Sequence, residues 1–193
     1  MTTRTSPPAF DDLWKDLQER SRRLAIPIVQ DYNELEHVYN LIQGCESYLE
    51  IGTAEGNSLY VLSQAVKPWS KITYVDLGEK HTTPARDEVL DKLASLGITR
   101  PHGIHADSND PNTLAEITDK YDVVLIDAGH SYKNAITDAR FYAPLAKKYV
   151  IFHDICLPEV KMAYNEYCNI VCHLKHYEVI NSKTMGFGII EVV

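Results

Sequence analysis

The sequence predicts an α/β protein: a doubly wound, mostly parallel seven-stranded sheet that ends in an antiparallel hairpin and is preceded by N-terminal helices. Two observations predict it. From residue 47 onward, five short apolar runs alternate with amphipathic segments, and the last two apolar runs follow one another with no room for a helix between them. Parallel neighbours need a crossover, and right-handed crossovers place helices on both faces of the sheet.

Taken in order, Phe10, Leu13, Trp14, Leu17 and Leu24 recur at helical period, which predicts an amphipathic helix ending before Pro27. A second helix is expected from Asn33, as its cap, through Leu35, Val38, Leu41 and Ile42 to a stop at Gly44. These two make residues 1–44 a helical extension of a domain formed by residues 45–193. In that domain the strand-then-helix pairs read SYLEIG with NSLYVLSQAV, KITYVDLG with ARDEVLDKLASLG, HGIHAD with PNTLAEITDK, YDVVLIDAG with YKNAITDARFYAPL, and YVIFHDI with PEVKMAYNEYCNIV. HYEVI and GFGIIEVV, joined through NSKTM, close the chain as a hairpin at one sheet edge.

At 193 residues the chain suggests one domain with a sizeable core, and 45% hydrophobic and 24% charged residues are ordinary for a globular protein. A net charge of −8 argues against holding nucleic acid by broad electrostatic attraction, so a small-molecule partner is expected. The opening MTTRTSPPAFDDLWKDLQERSRR lacks the apolar core of a signal peptide, and no apolar run is long enough to cross a bilayer. A cytoplasmic protein without membrane attachment is the expectation. Cys45, Cys156, Cys168 and Cys172 show neither zinc-ribbon nor redox spacing and read as reduced thiols.

Ligands of open α/β sheets bind beyond the carboxyl ends of the strands. Those ends carry Glu50-Ile51-Gly52, Asp76, Asp107-Ser108, Asp127 and His153-Asp154. A strand that runs through a glycine turn into a helix offers backbone N–H groups to an anionic ligand group. The turn here is Gly52-Thr-Ala-Glu-Gly56-Asn-Ser58, with Ala54 where a dinucleotide fingerprint needs its second glycine, which weighs against NAD. No Gly-Lys-Ser/Thr pair is present, so a nucleoside-triphosphate loop is excluded. Asp76 follows at the end of the second predicted strand, where a carboxylate can accept from both hydroxyls of a ribose. Adenosine attached to something other than pyrophosphate fits best.

The glycine turn with Glu50, Asp76, the run Tyr121-Asp-Val-Val-Leu-Ile-Asp127-Ala-Gly-His130-Ser-Tyr132, and Phe152-His153-Asp154 together resemble class I S-adenosylmethionine-dependent methyltransferases, over roughly residues 45–193. The chain is most similar to the cephalosporin-hydroxylase-like and macrocin O-methyltransferase-like subgroup, and more distantly to catechol O-methyltransferase. The resemblance implies a Rossmann-like methyltransferase fold, S-adenosylmethionine as cofactor, and methylation of an oxygen on a small-molecule acceptor. It implies that Gly52, Thr53 and Gly56 lie along the methionine part of the cofactor and that Ser58 receives its carboxylate. Glu50 would stand near the ammonium group, Asp76 at the ribose hydroxyls, and Asp107 with Ser108 beside the adenine.

The same resemblance gives His130 the position of the general base, and Asp127, together with His153 and Asp154, is expected to orient the acceptor. An imidazole titrating near neutrality suits removal of a hydroxyl proton. Asp127, His153 and Asp154 stand where catechol-type relatives bind magnesium, so they are the candidate ligands of a divalent ion. The chain departs from the subgroup by reading Asp127-Ala-Gly-His130 in place of Asp-Gly-Asp-His, which removes one carboxylate. His153 also suits manganese or another softer ion better than magnesium. Without a metal, His130 and His153 are expected to hydrogen-bond to one another, with Asp154 capping the helix ahead of Pro158.

Arg20, Arg22 and Arg23 read as a solvated helix face, and Trp14, Tyr32 and Tyr39 as packing residues. The terminal hairpin and the N-terminal helix offer surfaces for a homo-oligomer. Two other functions fit the same motifs less well: a cofactor-binding protein of this fold without transfer activity, and an NAD-dependent oxidoreductase.

Overall fold

The structure, a computed structural model, describes residues 6–80, 82–181 and 185–192. Seven strands, β1 Ser47–Ile51, β2 Lys71–Asp76, β3 His102–His105, β4 Tyr121–Ile126, β5 Ala146–Phe152, β6 Lys175–Val179 and β7 Phe187–Glu191, form one sheet in the order β3-β2-β1-β4-β5-β7-β6. β1 to β5 run parallel, β7 enters antiparallel beside β5, and β6 pairs antiparallel with β7 at the edge. The chain leaves β1 toward β2 on one side and later returns to place β4 on the other. The switch point therefore lies between β1 and β4, where such sheets open a crevice.

Alternation of side chains along the strands divides the core in two. Tyr48, Ile72, Val123, Leu125 and Ile151 point to one face, and Leu49, Ile51, Val124, Ile126 and Val150 to the other. The first face is covered by α1 Phe10–Leu24, α2 Tyr32–Leu41, α3 Asn57–Leu62 and α4 Thr83–Ser95. The second is covered by α5 Pro111–Ala115, α6 Tyr132–Tyr142 and α7 Pro158–Ile170. Phe10, Leu13 and Leu17 of α1 and Leu35, Val38 and Tyr39 of α2 share one buried cluster with the sheet, and Trp14 meets Tyr32 edge to face at 5.4 Å. Glu34, fully buried in α2, accepts from the backbone N–H groups of Asn181 and Gly186 and so ties that helix to the terminal hairpin.

Local expectations for α2, α3 and α5 are corrected. The cap of α2 is Asp31, whose carboxylate accepts from the N–H groups of Asn33 and Glu34, while Asn33 lies within the first turn. A carboxylate just ahead of the first turn meets the positive end of the helix dipole as well as its unpaired donors. α3 and α5 stop after six and five residues, well short of their apolar patterns, which continue as turns. The hairpin link through residues 182–184 lies outside the described residues. No described helix is long and apolar enough to cross a membrane.

Candidate active site

The carboxyl ends of β1 to β5 converge on a cavity of about 360 Å³. Its wall is built from the glycine turn after β1, the segments that follow β2, β3, β4 and β5, and Val29 with Gln30 from the connection between α1 and α2. Gly52, Thr53, Ser58, Asp76, Asp107, Ser108, Asp127, His130, His153 and Asp154 all line it. Glu50 and Gly56, also predicted for the site, do not line it.

Gly52 is glycine for two reasons. Its φ of +85° disfavours a side chain, and a Cβ there would stand 2.4 Å from the carbonyl oxygen of Asp127. The close approach brings the ends of β1 and β4 together, with the N–H of Asp127 donating to the carbonyl of Ile51 at 2.7 Å. Gly56, at φ +84°, reverses the turn into α3 with its missing Cβ directed at Val89 of α4.

Glu50 lies beneath this turn. It is fully buried and accepts from the hydroxyls of Tyr48, Ser58 and Thr53. Burial raises its pKa to about 7, against the favourable hydroxyls. Asp76 is held just as firmly. One oxygen accepts from the N–H groups of Thr53 and Ala54, the other from the N–H of Gly78 and from Arg86 at 2.7 Å. Burial opposes its ionisation, but these backbone donors and the guanidinium outweigh burial and hold the pKa below its ordinary value. Four donors fill the usual capacity of a carboxylate, so a ribose hydroxyl reaches Asp76 only by exchange with one of them.

At the β3 end, Asp107 accepts from the N–H of Asn109, and α6 reaches under the loop from the other side. Asp138 accepts from Asn109 Nδ2 at 2.7 Å, and Tyr142, one turn along, donates to the carbonyl of Ser108 at 2.7 Å. Asp138 is fully buried, and burial raises its pKa to about 7.

Past β4 and β5, four side chains form a chain of contacts. His153 Nδ1 lies 2.9 Å from Asp127 and 3.3 Å from Asp154, and Asp154 reaches on to His130 Nε2 at 3.0 Å. Burial disfavours a charged His153, yet Asp127 and Asp154 overcome it and raise its pKa to about 9. The hydrogen bond that His130 donates to Asp154 raises the pKa of this half-exposed imidazole above the ordinary histidine value. The two imidazoles therefore do not bond to one another as expected; Asp154 stands between them. Nor does Asp154 cap α7, whose N-cap residue is Leu157 with no side-chain cap. Asp154 sits at φ +57°, and that left-handed turn accompanies a carboxylate pointed at the imidazoles. Ligand atoms of Asp127, His153 and Asp154 lie within 4.8 Å of one another, a spacing that also suits a divalent ion.

Several site residues escaped the sequence reading. Val29 and Gln30 carry no motif and come from an irregular connection. Arg86, fully buried, had a signal: its spacing to Val89, Leu90 and Leu93 places it on the buried stripe of α4. Asn134 packs where a Cβ on Gly129 would meet it at 2.4 Å, so Gly129 could have pointed to it.

Residues 49–155 match a family described as a methyltransferase domain. No curated protein matches the sequence. Among solved structures, the chain is similar to the O-methyltransferase from Bacillus cereus in complex with S-adenosylhomocysteine (SAH), at 15% identity over 96% of this chain and 92% of that one, with a TM-score of 0.71. It is similar to the O-methyltransferase TomG from Streptomyces achromogenes, involved in tomaymycin synthesis and solved with S-adenosylmethionine, at 14% identity over 97% and 92%, TM-score 0.70. A methyltransferase from Geobacter sulfurreducens gives 15% identity over 96% and 90%, TM-score 0.68.

Proposed function

We propose that this chain, which belongs to the methyltransferase-domain family, transfers a methyl group from S-adenosylmethionine to an oxygen of a small-molecule acceptor. One observation carries the choice of cofactor. The described cavity wall holds the carboxylates Glu55, Asp76, Glu79, Asp107, Asp127 and Asp154 and neither lysine nor arginine. That wall suits a ligand with a sulfonium and an ammonium and is hostile to the pyrophosphate of NAD. In this reading the amino-acid end of the cofactor lies along Gly52, Thr53 and Ser58, the ribose at Asp76, and the adenine beside Asp107 and Ser108. Glu50 and Gly56 support the turn from behind.

When bound, the cofactor would supply an activated methyl, whose transfer to the acceptor oxygen would leave the pair of the broken carbon–sulfur bond on sulfur. The chain's own residues move the proton and set the geometry. His130, half-exposed at the rim, takes the acceptor's hydroxyl proton, and Asp154 orients the imidazole and stabilises the imidazolium that results. Asp127 and the imidazolium of His153 neutralise one another at the floor. The same three groups, Asp127, His153 and Asp154, would hold a divalent ion in exchange for the His153 proton, and that ion would polarise the acceptor oxygen. Two carboxylates and an imidazole favour manganese over magnesium.

The test is turnover of S-adenosylmethionine with a panel of hydroxylated small molecules, with and without manganese. His130→Gln should lower kcat by roughly 10²–10⁴ and leave affinity for S-adenosylhomocysteine unchanged. An unaffected kcat in that variant, or methylation of amines only, would overturn the assignment.

A further inference from the structure

The three arginines near the end of α1 separate sharply in the structure. Arg22 and Arg23 stay on the outside, where Arg23 is 55% exposed and pairs with Glu88. Arg20 points inward and is only 7% exposed, against the solvated face expected of it. Its guanidinium donates to Asn57 Oδ1 at 2.5 Å, to the carbonyl of Glu55 at 2.7 Å and to the carbonyl of Ala85 at 2.8 Å. Glu55 and Asn57 both line the cavity and flank the left-handed Gly56. Asn57 in turn donates through Nδ2 to the carbonyl of Pro27, two residues before the chain reaches the cavity at Val29.

We infer that Arg20 is a positioning residue for the cofactor: the guanidinium clamps the Glu55–Asn57 turn against α4 and, through Asn57, fixes the Pro27–Gln30 segment over the cavity. The inference rests on the cofactor placement proposed above. Three acceptors from two segments are gathered by one planar fork, a geometry that lysine's single ammonium cannot copy. Without the fork, Asn57 Oδ1 and the Glu55 carbonyl lose a charged donor in a buried place, and the turn must relax to find others. Asn57 already spends its amide on Pro27, so the relaxation carries the roof with it. Helix α1, which has no side chain in the cavity wall, thereby acts on the ligand.

The experiment is calorimetric titration of S-adenosylhomocysteine into wild type, Arg20→Gln, Arg20→Lys and Arg23→Gln, with unfolding midpoints measured on the same samples. Arg20→Gln should raise Kd about tenfold or more, Arg20→Lys by an intermediate factor, and Arg23→Gln, which removes the exposed pair with Glu88 and none of the donors to the turn, not at all. With an acceptor in hand, the loss should fall on KM for S-adenosylmethionine and spare kcat at saturation. A merely structural arginine predicts a lower unfolding midpoint with Kd unchanged in the folded protein; that result overturns the inference, as does an equal shift in the Arg20 and Arg23 variants. Should Arg20→Gln fail to fold, Arg20→Lys decides alone by the same criterion. Wild type that binds no S-adenosylhomocysteine refutes the cofactor placement itself, a different failure.

Discussion

Replacing Glu50 by glutamine should make the protein more stable at alkaline pH than at acid pH relative to wild type. Glu50 is fully buried under the glycine turn, and its pKa rises from 4.5 to about 7 because desolvation, with repulsion from Asp127, exceeds the help of the Tyr48, Ser58 and Thr53 hydroxyls. The folded state thus keeps a proton that the unfolded chain has lost between those two values. Its contribution is fully favourable below the unfolded pKa and is progressively lost as pH rises through the folded one. A difference of this size corresponds to at most about 3 kcal/mol of stability lost on passing from about pH 4 to about pH 8. Glutamine carries no charge, can still accept from Ser58 and Thr53, and can donate to Tyr48 in place of the bond it now accepts. Urea unfolding at about pH 5 and about pH 8 should show the variant level with or slightly below wild type at the lower pH and above it at the higher. Asp138, also raised to about 7 by burial, gives wild type a parallel slope that remains in this variant. An identical stability difference at both pH values would refute the claim that Glu50 is buried away from the ligand and titrates with folding.

Three further outcomes follow from the geometry. Asp154→Asn, which keeps a residue tolerant of φ +57°, should lower the pKa of His130 toward the ordinary histidine value, read by the NMR titration of its ring proton in chelator-treated protein; no change would break the contact between them. Gly52→Ala should destabilise by roughly 2 kcal/mol or more, because its Cβ meets the Asp127 carbonyl at 2.4 Å, and should also weaken binding of S-adenosylhomocysteine. Gly56→Ala, with its nearest Cβ neighbour at 3.4 Å, should cost only about 1 kcal/mol from backbone strain; equal losses at the two positions would contradict the close approach of β1 and β4.

The sheet was legible because its strands are apolar in short runs and each ends in a polar residue, and those ends do gather around one cavity. What one strand end does with its polar residue was less legible. Glu50 and Asp76 read alike as ligand-facing acids, yet the fold spends the first on three hydroxyls and the second on three N–H groups and Arg86. Hydrogen-bond partners that arrive from 2 to 23 residues away leave no periodic trace in a sequence. Arg20 shows the same limit from the other direction. Charge and neighbouring arginines mark it as solvated, and only the packing of α1 on α3 and α4 turns it inward. Asp154 looked like a cap because it precedes Pro158, but helix α7 begins beyond its reach and the carboxylate turns to two imidazoles instead.

The cavity at the β1–β4 switch point seeks a cation, and calorimetric titration of the purified protein with S-adenosylhomocysteine and, separately, with NAD tests this most directly. The predicted result is one molecule of S-adenosylhomocysteine bound per chain with a Kd well below about 1 mM and no uptake of NAD. Heat from NAD alone, or from neither compound, would contradict it.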